Sequence, residues 1–239
     1  AGNLNPIKAK LLAEAGNITA SVVKALVDKD VFEIYYLEED RIIFLYSSLE
    51  APLLSEIQQK AFSEIQKSFE EKNVCLLHGV TGSGKTEIYI RLIQEYLDKE
   101  QSVLYLLPEI ALTTQLVGRL VKHFGNKVAV FHSKYSNNER VEVWNQVLAS
   151  APTAQVVIGA RSALFLPFNE LGLIIVDEEH EQMFKQQEPA PRYNARDAAI
   201  VLANLHKSKV LLGSATPSVE SYYNTQIDKY ALVKLTARF

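Results

Sequence analysis

The sequence is poor in residues that would place it among disulfide-rich or metal-thiolate proteins. Its 239 residues include one cysteine, Cys75, one methionine and one tryptophan. A single cysteine cannot form an internal disulfide and supplies no thiolate cluster for zinc or an iron–sulfur centre. This cysteine usage favours a reducing compartment, the cytoplasm.

The chain also lacks a surplus of one charge and long apolar runs. Lysine and arginine number 25 against 28 acidic residues, a formal net charge of -3, so any nucleic-acid contact must come from a local patch. Purely apolar runs such as 173–176 are far shorter than the ~18 residues of a membrane-spanning helix. We therefore expect no membrane segment and no signal peptide. The first residue is Ala1 and the only methionine is Met183, which predicts a piece of a longer protein.

Residues 1–50 differ from the rest in charge and rhythm. They contain five basic and eight acidic residues. Apolar residues repeat at helical spacing within 7–12 and 22–27, and β-branched and aromatic runs follow at 31–37 and 41–46. Two helices and a hairpin predict a partial winged-helix domain with a connector. A small packing domain without a DNA role is the alternative, because the acidic balance argues against a strong phosphate-binding face.

Residues 51–239 alternate short β-rich runs with helical stretches. The runs lie at 74–77, 103–107, 127–131, 155–158, 173–176 and 209–212. This alternation predicts an α/β domain, a parallel sheet covered by helices on both faces. In such folds ligands bind at the carboxyl ends of the strands.

The first of these runs ends in a glycine-rich loop. Residues 79–86, Gly-Val-Thr-Gly-Ser-Gly-Lys-Thr, match the pattern of glycine, four residues and Gly-Lys-Thr in a strand–loop–helix setting. Backbone N–H groups of such a loop form a nest for phosphate oxygens. We expect Lys85 to reach the β and γ phosphates of ATP and the Thr86 hydroxyl to bind Mg²⁺. The loop residues expected to cradle the phosphates are Gly79, Thr81, Gly82, Ser83 and Gly84.

A second chemical motif follows the strand predicted at 173–176. The chain continues as Asp177-Glu178-Glu179-His180. We expect Asp177 to orient Mg²⁺ through its water shell and Glu178 to polarise the attacking water. A strand ending in acids is a weak signal alone but a strong one behind a phosphate loop. Lys85, Asp177 and Glu178 are therefore the predicted catalytic groups.

A third motif, Gly-Ser-Ala-Thr-Pro-Ser at 213–218, completes a resemblance. The three motifs in this order resemble the first RecA-like lobe of superfamily 2 helicases. Further segments resemble the bacterial primosomal replication-restart helicases: 107–113, 132–133, 139–140, 159–165, 185–188 and 192–197. A P-loop kinase would not account for the motif at 213–218, whereas a winged-helix DNA binder with a regulatory ATP site remains an alternative.

The resemblance implies an ATP-dependent 3′-to-5′ DNA helicase that acts at stalled or abandoned replication forks and initiates primosome assembly. Its implied partners are forked and single-stranded DNA, primosome proteins and single-strand binding protein, in the bacterial cytoplasm. The family also has a second RecA-like lobe with a zinc module, and the lone Cys75 cannot belong to that module. Residues 51–239 correspond to the ATP-binding lobe.

Several site residues are implied by this resemblance. Gln58 occupies the adenine-reading position, with a surface helix glutamine as the alternative. His180 is expected to join the γ-phosphate site to Ser214 and Thr216. Thr113 and Arg161 lie in segments that contact the DNA backbone, although Thr113 could equally cap a helix.

An aromatic-rich loop that couples DNA binding to hydrolysis is the last implied element. Phe184 and Tyr193 are its expected stacking residues, and Lys185, Arg192 and Arg196 supply charge. Prolines at 189 and 191 occupy the region where another aromatic would be expected, and a stiff surface loop is the alternative. Trp144, by contrast, is expected to pack in the core rather than to stack on a base.

Overall fold

The computed structural model describes residues 20–27, 29, 52–132 and 135–236. The chain divides into two compact units, 1–42 and 43–239. In the first unit the described helix is α1, Ala20–Val27, which matches the second of the two predicted helices. The rest of the predicted winged-helix domain lies outside the described residues, so that domain assignment stays a prediction.

The second unit is built on a parallel sheet, as the alternation predicts. Its described strands are β1 Val74–Gly79, β2 Ser102–Leu106, β3 Val128–Phe131, β4 Val156–Gly159, β5 Leu171–Asp177, β8 Lys209–Ser214 and β9 Ala231–Leu235. The order is β3-β4-β2-β5-β8-β1-β9, with parallel pairing throughout. A separate antiparallel pair joins β6, Lys185–Gln186, to β7, Tyr193–Asn194.

Helices cover both faces of the sheet. They are α2 Glu56–Glu71, α3 Lys85–Asp98, α4 Thr114–Phe124, α5 Asn137–Leu148, α6 Ala195–His206 and α7 Val219–Gln226. Alternate residues of a strand point to opposite faces, and β1 follows this rule: Cys75 and Leu77 join a core cluster with α2, α3 and α4, while Leu76 joins a second cluster with α5 and α6. The sheet is thus buried on both sides, which explains its nearly continuous apolar strands.

The strand order brings the three motifs together. Strands β5, β8 and β1 are neighbours. Asp177 at the end of β5 pairs in register with Gly213 of β8, and Ser214 pairs with His78 of β1. The loops that follow these three strands therefore leave the same edge of the sheet, where α/β proteins bind their ligands.

Candidate active site

The phosphate loop has the backbone geometry of an anion nest. Gly82 and Gly84 adopt left-handed φ angles of 75° and 79°, which glycine adopts without the steric cost of a side chain. Helix α3 starts at Lys85, whose Nζ donates to the carbonyl oxygen of Gly79 at 2.9 Å. The Ser83 hydroxyl is buried and has no hydrogen-bond partner among the described residues. A buried hydroxyl without a partner is costly, so the loop fits a ligand that supplies oxygen acceptors.

Gln58 lies against this loop. It is 1% exposed, and its Nε2 donates to the carbonyl oxygens of Ser83 and Gly84, both at 3.4 Å. Its Oε1 accepts from the backbone N–H of Ser55 at 2.9 Å in the capping box of α2. The alternative of an exposed surface glutamine is therefore wrong. The amide is engaged with the loop, and its contact with adenine stays a prediction.

Two buried phenols hold the carboxylate of Asp177. The Tyr89 hydroxyl donates to Oδ1 at 3.0 Å and the Tyr105 hydroxyl to Oδ2 at 3.1 Å. Oδ1 also accepts from the backbone N–H of Glu178 at 3.1 Å. Burial raises the pKa of Asp177, while the phenol hydrogen bonds and Lys85 act in the opposite direction. Burial, reinforced by the charge of Asp177, raises the pKa of both phenols well above the usual value, so both remain donors.

Glu178 faces the end of Lys85. Its Oε1 lies 3.9 Å from the lysine Nζ, and its backbone φ is 49°, a left-handed conformation that is uncommon for residues other than glycine and concentrated at active sites. Burial raises its pKa, and the neighbouring charge of Asp177 adds to the rise. The predicted catalytic groups Lys85, Asp177 and Glu178 are thus brought together at one edge of the sheet.

His180 connects the motif at 177–180 with the one at 213–218. Its Nδ1 lies 2.8 Å from the Ser214 hydroxyl and its Nε2 lies 3.3 Å from the Thr216 hydroxyl. Nδ1 also lies 3.7 Å from Glu178 Oε2. The structure therefore contains the connection expected for His180, and its role in coupling stays a prediction.

The prediction that Arg196 supplies charge to DNA is wrong, because the residue is buried, 8% exposed, and pairs with the buried Glu179. Glu179 is 2% exposed, and its carboxylate accepts from the backbone N–H and hydroxyl of Ser218 at 2.7 and 3.0 Å and from the Ser221 hydroxyl at 2.8 Å. Arg196 Nη1 donates to the same carboxylate at 3.1 Å. The role of Glu179 could not be predicted from sequence. A buried acid needs several hydrogen-bond partners, but the sequence does not reveal that Glu179 is buried.

The prediction that Phe184 stacks on a DNA base is wrong. The residue is 1% exposed and belongs to the core beneath α6, so it is not available to stack on a base. Its position at the end of a short 3-10 helix, Gln182–Phe184, turns the ring inward, because burial of an aromatic side chain is strongly favourable.

The other predicted DNA residues lie at the surface. Lys185 and Arg192 are exposed, and the half-buried Tyr193 stacks edge-on against Phe165, with ring centroids 5.3 Å apart. Arg161 Nη1 donates to the carbonyl oxygen of Met183 at 3.4 Å, so it ties its own loop to the start of this segment. A cleft of about 1030 Å³ is lined by Lys185, Arg192 and Tyr193 together with acidic residues, among them Glu181, Glu188 and Glu220.

Thr113 serves as the N-cap of α4. Its hydroxyl accepts from the backbone N–H of Leu116 at 3.3 Å. The helix-capping alternative therefore describes its contacts in this structure, and the DNA contact stays a prediction.

A magnesium ion fits the residues that the resemblance assigns to it. Thr86 lies in the first turn of α3, three residues after Ser83, and Asp177 ends β5. Mg²⁺ retains several waters and takes one or two carboxylates together with substrate phosphates. Among residues 20–27, 29, 52–132 and 135–236 no group of three or more His, Cys, Asp or Glu side chains could hold a metal by itself.

The helices that the structure describes include none that is long and apolar enough to cross a membrane.

Known proteins share both the sequence and the fold of this chain. The replication restart protein PriA of Bacillus subtilis (strain 168) is 41% identical over 237 residues, which cover 97% of this chain and 29% of that protein. PriA of Chlamydia trachomatis serovar D is 38% identical over 240 residues, which cover 98% of this chain and 31% of that protein. The chain thus spans about 30% of the length of these relatives.

Solved structures support the fold. The structure of RecG bound to a three-way DNA junction matches this chain with a TM-score of 0.56 at 18% sequence identity. The match covers 92% of this chain and 26% of the RecG chain. The family model for DEAD/DEAH box helicases matches residues 55–225, a span that contains the three motifs. The resemblance to replication-restart helicases is confirmed by the PriA relatives, and the chain belongs to the DEAD/DEAH box helicase family.

Proposed function

We propose that this chain is the ATP-binding lobe of a replication-restart DNA helicase that moves 3′ to 5′ on DNA. The observation that carries this proposal is the meeting of Lys85, Asp177 and Glu178 beside the phosphate loop. The PriA relatives support a role at stalled or abandoned forks. Primosome proteins and single-strand binding protein are the partners that this role implies, in the bacterial cytoplasm.

In the proposed reaction each residue has a defined task. The N–H groups of the phosphate loop bind the phosphate oxygens of ATP, and Lys85 exchanges the Gly79 carbonyl for the β and γ phosphates. Thr86 and Asp177 would hold Mg²⁺, which neutralises charge that develops on the phosphates. Glu178 accepts the proton of the attacking water.

The DNA side of the proposal rests on surface charge. Arg161, Lys185 and Arg192 are the cations expected to bind phosphates of the single strand, and Tyr193 offers a ring for stacking. The hydroxyl of Thr113 can add a backbone contact. The attraction for DNA must come from these individual cations, because the net charge is -3 and acidic residues also line the cleft.

Two substitutions in the full-length protein test the ATP site. Lys85→Ala should abolish hydrolysis and leave fork binding largely intact, because the lysine faces the phosphate loop. Glu178→Gln should keep nucleotide affinity and lose turnover. Lys99→Ala, at the exposed end of the same helix, is the matched control and should retain parental hydrolysis. Parental turnover by Glu178→Gln would rule out its proposed role.

Polarity and coupling need separate experiments. A partial duplex with a 3′ single-stranded tail should be unwound, and one with a 5′ tail should not. Unwinding of the 5′-tailed duplex alone would contradict 3′-to-5′ movement. Replacing Arg192 and Tyr193 together by alanine should lower DNA-stimulated hydrolysis while basal hydrolysis persists. Fork binding without any DNA stimulation in the parental protein would favour the alternative of a DNA binder with a regulatory ATP site.

A further inference from the structure

Two tyrosines outside the recognised motifs converge on Asp177. Tyr89 lies on α3 and Tyr105 on β2, and both are 0% exposed. Their rings meet edge-on, with centroids 5.6 Å apart and an interplanar angle of 76°. The phosphate-loop helix and a neighbouring strand thus each send one hydroxyl to the same carboxylate.

The hydroxyls divide the carboxylate between them. Tyr89 donates to Oδ1 and Tyr105 to Oδ2, so rotation of the carboxylate would break both hydrogen bonds. A phenol oxygen in the core requires a partner, because a buried polar group without a hydrogen bond is unfavourable. Each ionised oxygen has about two acceptor positions. Oδ1 accepts from Tyr89 and from the backbone N–H of Glu178, so the position that remains for the water shell of a metal ion is on Oδ2.

The space for this arrangement is created by Gly213. A β-carbon at that position would lie 1.9 Å from the Tyr89 hydroxyl oxygen and 3.2 Å from Asp177 Oδ1. Any side chain there would displace the Tyr89 hydroxyl. Glycine at position 213 is therefore required so that the Tyr89 hydroxyl can reach Asp177.

We propose that Tyr89 and Tyr105 are positioning residues that fix the orientation of the Asp177 carboxylate, which would hold Mg²⁺, and that Gly213 keeps the room for Tyr89. The inference rests on the proposed binding of ATP with Mg²⁺. Residues that orient a metal ligand through hydrogen bonds commonly change metal affinity when they are altered, by roughly 10- to 100-fold. Phenylalanine would fill the core equally well, so the hydroxyls are the part of these residues that the core does not require.

The test compares nucleotide binding with and without Mg²⁺ in the full-length protein. A fluorescent ADP analogue is titrated in excess Mg²⁺ and again in EDTA, and the ratio of the two affinities is the Mg²⁺-dependent gain. Tyr89→Phe and Tyr105→Phe should each reduce this gain by about 10-fold, with affinity in EDTA unchanged. Tyr96→Phe, in the same helix and core cluster, is the matched control and should retain the full gain.

Gly213→Ala supplies an independent arm. It should reduce the gain as Tyr89→Phe does, and the two changes combined should have less than their summed effect, because phenylalanine lacks the oxygen that meets the new β-carbon most closely. Circular dichroism checks that each variant is folded. If folded tyrosine variants keep the parental gain, the positioning role is wrong while the proposed function stands. If the parental protein shows no gain from Mg²⁺, the proposed function fails and this inference with it.

Discussion

The buried ion pair between Glu179 and Arg196 allows a stability prediction with an internal control. The Glu179 side chain is 0% exposed and that of Arg196 is 10% exposed, with 3.1 Å between Oε2 and Nη1. Arg196 Nε also donates to Asp197, at 2.9 Å, but that carboxylate is 61% exposed. One guanidinium therefore has a buried acidic partner and an exposed one at similar distances.

The two partners should differ greatly in their effect on stability. Glu179→Ala leaves a largely buried guanidinium without its inner partner and two serine hydroxyls without their acceptor, and we expect a loss of about 3–5 kcal/mol. Asp197→Asn removes a pair that water screens, which should lower stability by less than about 1 kcal/mol. The difference between the two effects comes from burial and from the serine hydrogen bonds that Glu179 accepts, since the two charge-pair distances are nearly equal.

Labelling of Cys75 gives a probe specific to this lobe. The thiol lies in β1 and is 0% exposed, so alkylation requires opening of the sheet. The full-length variants are exposed to an alkylating reagent at increasing urea, and mass spectrometry of the Cys75 peptide reports the fraction labelled. Glu179→Ala should shift the transition to much lower urea than Asp197→Asn. Equal shifts would refute the assignment of the stabilising role to the buried partner.

Three further expectations concern the same lobe. In native protein at pH 8 Cys75 should resist alkylation, because burial raises its pKa to about 12; rapid native labelling would contradict this. Gly159→Ala should destabilise the lobe, since the new β-carbon would lie 2.6 Å from Cβ of Ala163 and 2.8 Å from the carbonyl oxygen of Phe131. Gly118→Ala on α4 is the contrasting change, because a β-carbon there meets nothing within 4 Å. It should raise the free energy of unfolding by roughly 0.5–1 kcal/mol, measured in thermal or urea unfolding. This chain alone should hydrolyse ATP negligibly, because the resemblance implies an arginine from a second lobe and such an arginine is worth ~10³–10⁵ in rate; robust turnover in a phosphate-release assay would overturn that view.

The strands could be predicted from sequence because a parallel sheet buried on both faces produces unbroken apolar runs. All six predicted runs coincide with observed strands to within two residues at either end. Strand β9, Ala231–Leu235, was missed because the exposed, charged Lys234 interrupts its apolar run. The pair β6 and β7 has two residues in each strand, too few for any periodicity.

Side-chain roles were predictable only where chemistry is encoded locally. The phosphate loop fixes Lys85 and Thr86 through its spacing, whereas Tyr89 resembles any apolar position on the buried face of a helix. The predictions for Phe184 and Trp144 were wrong in opposite directions, since one side chain was expected to face DNA and the other to lie in the core. Phe184 is in the core, and Trp144, expected in the core, is 42% exposed because its neighbour Val143 takes the position that faces the sheet.

The buried contacts also bear on how the DNA-facing segment could influence hydrolysis. The backbone N–H of Glu179 donates to the carbonyl oxygen of Gly213 at 3.1 Å, and its carboxylate holds Arg196, two residues beyond the end of the β6–β7 pair. A shift of that pair must therefore either carry Glu179 with it or separate a buried ion pair, and separation is unfavourable by about 3–5 kcal/mol. Movement of the Asp177–His180 loop together with Arg196 keeps the ion pair intact and requires no such loss. The lower-energy response is for the two segments to move together, which is the property that the proposed coupling needs.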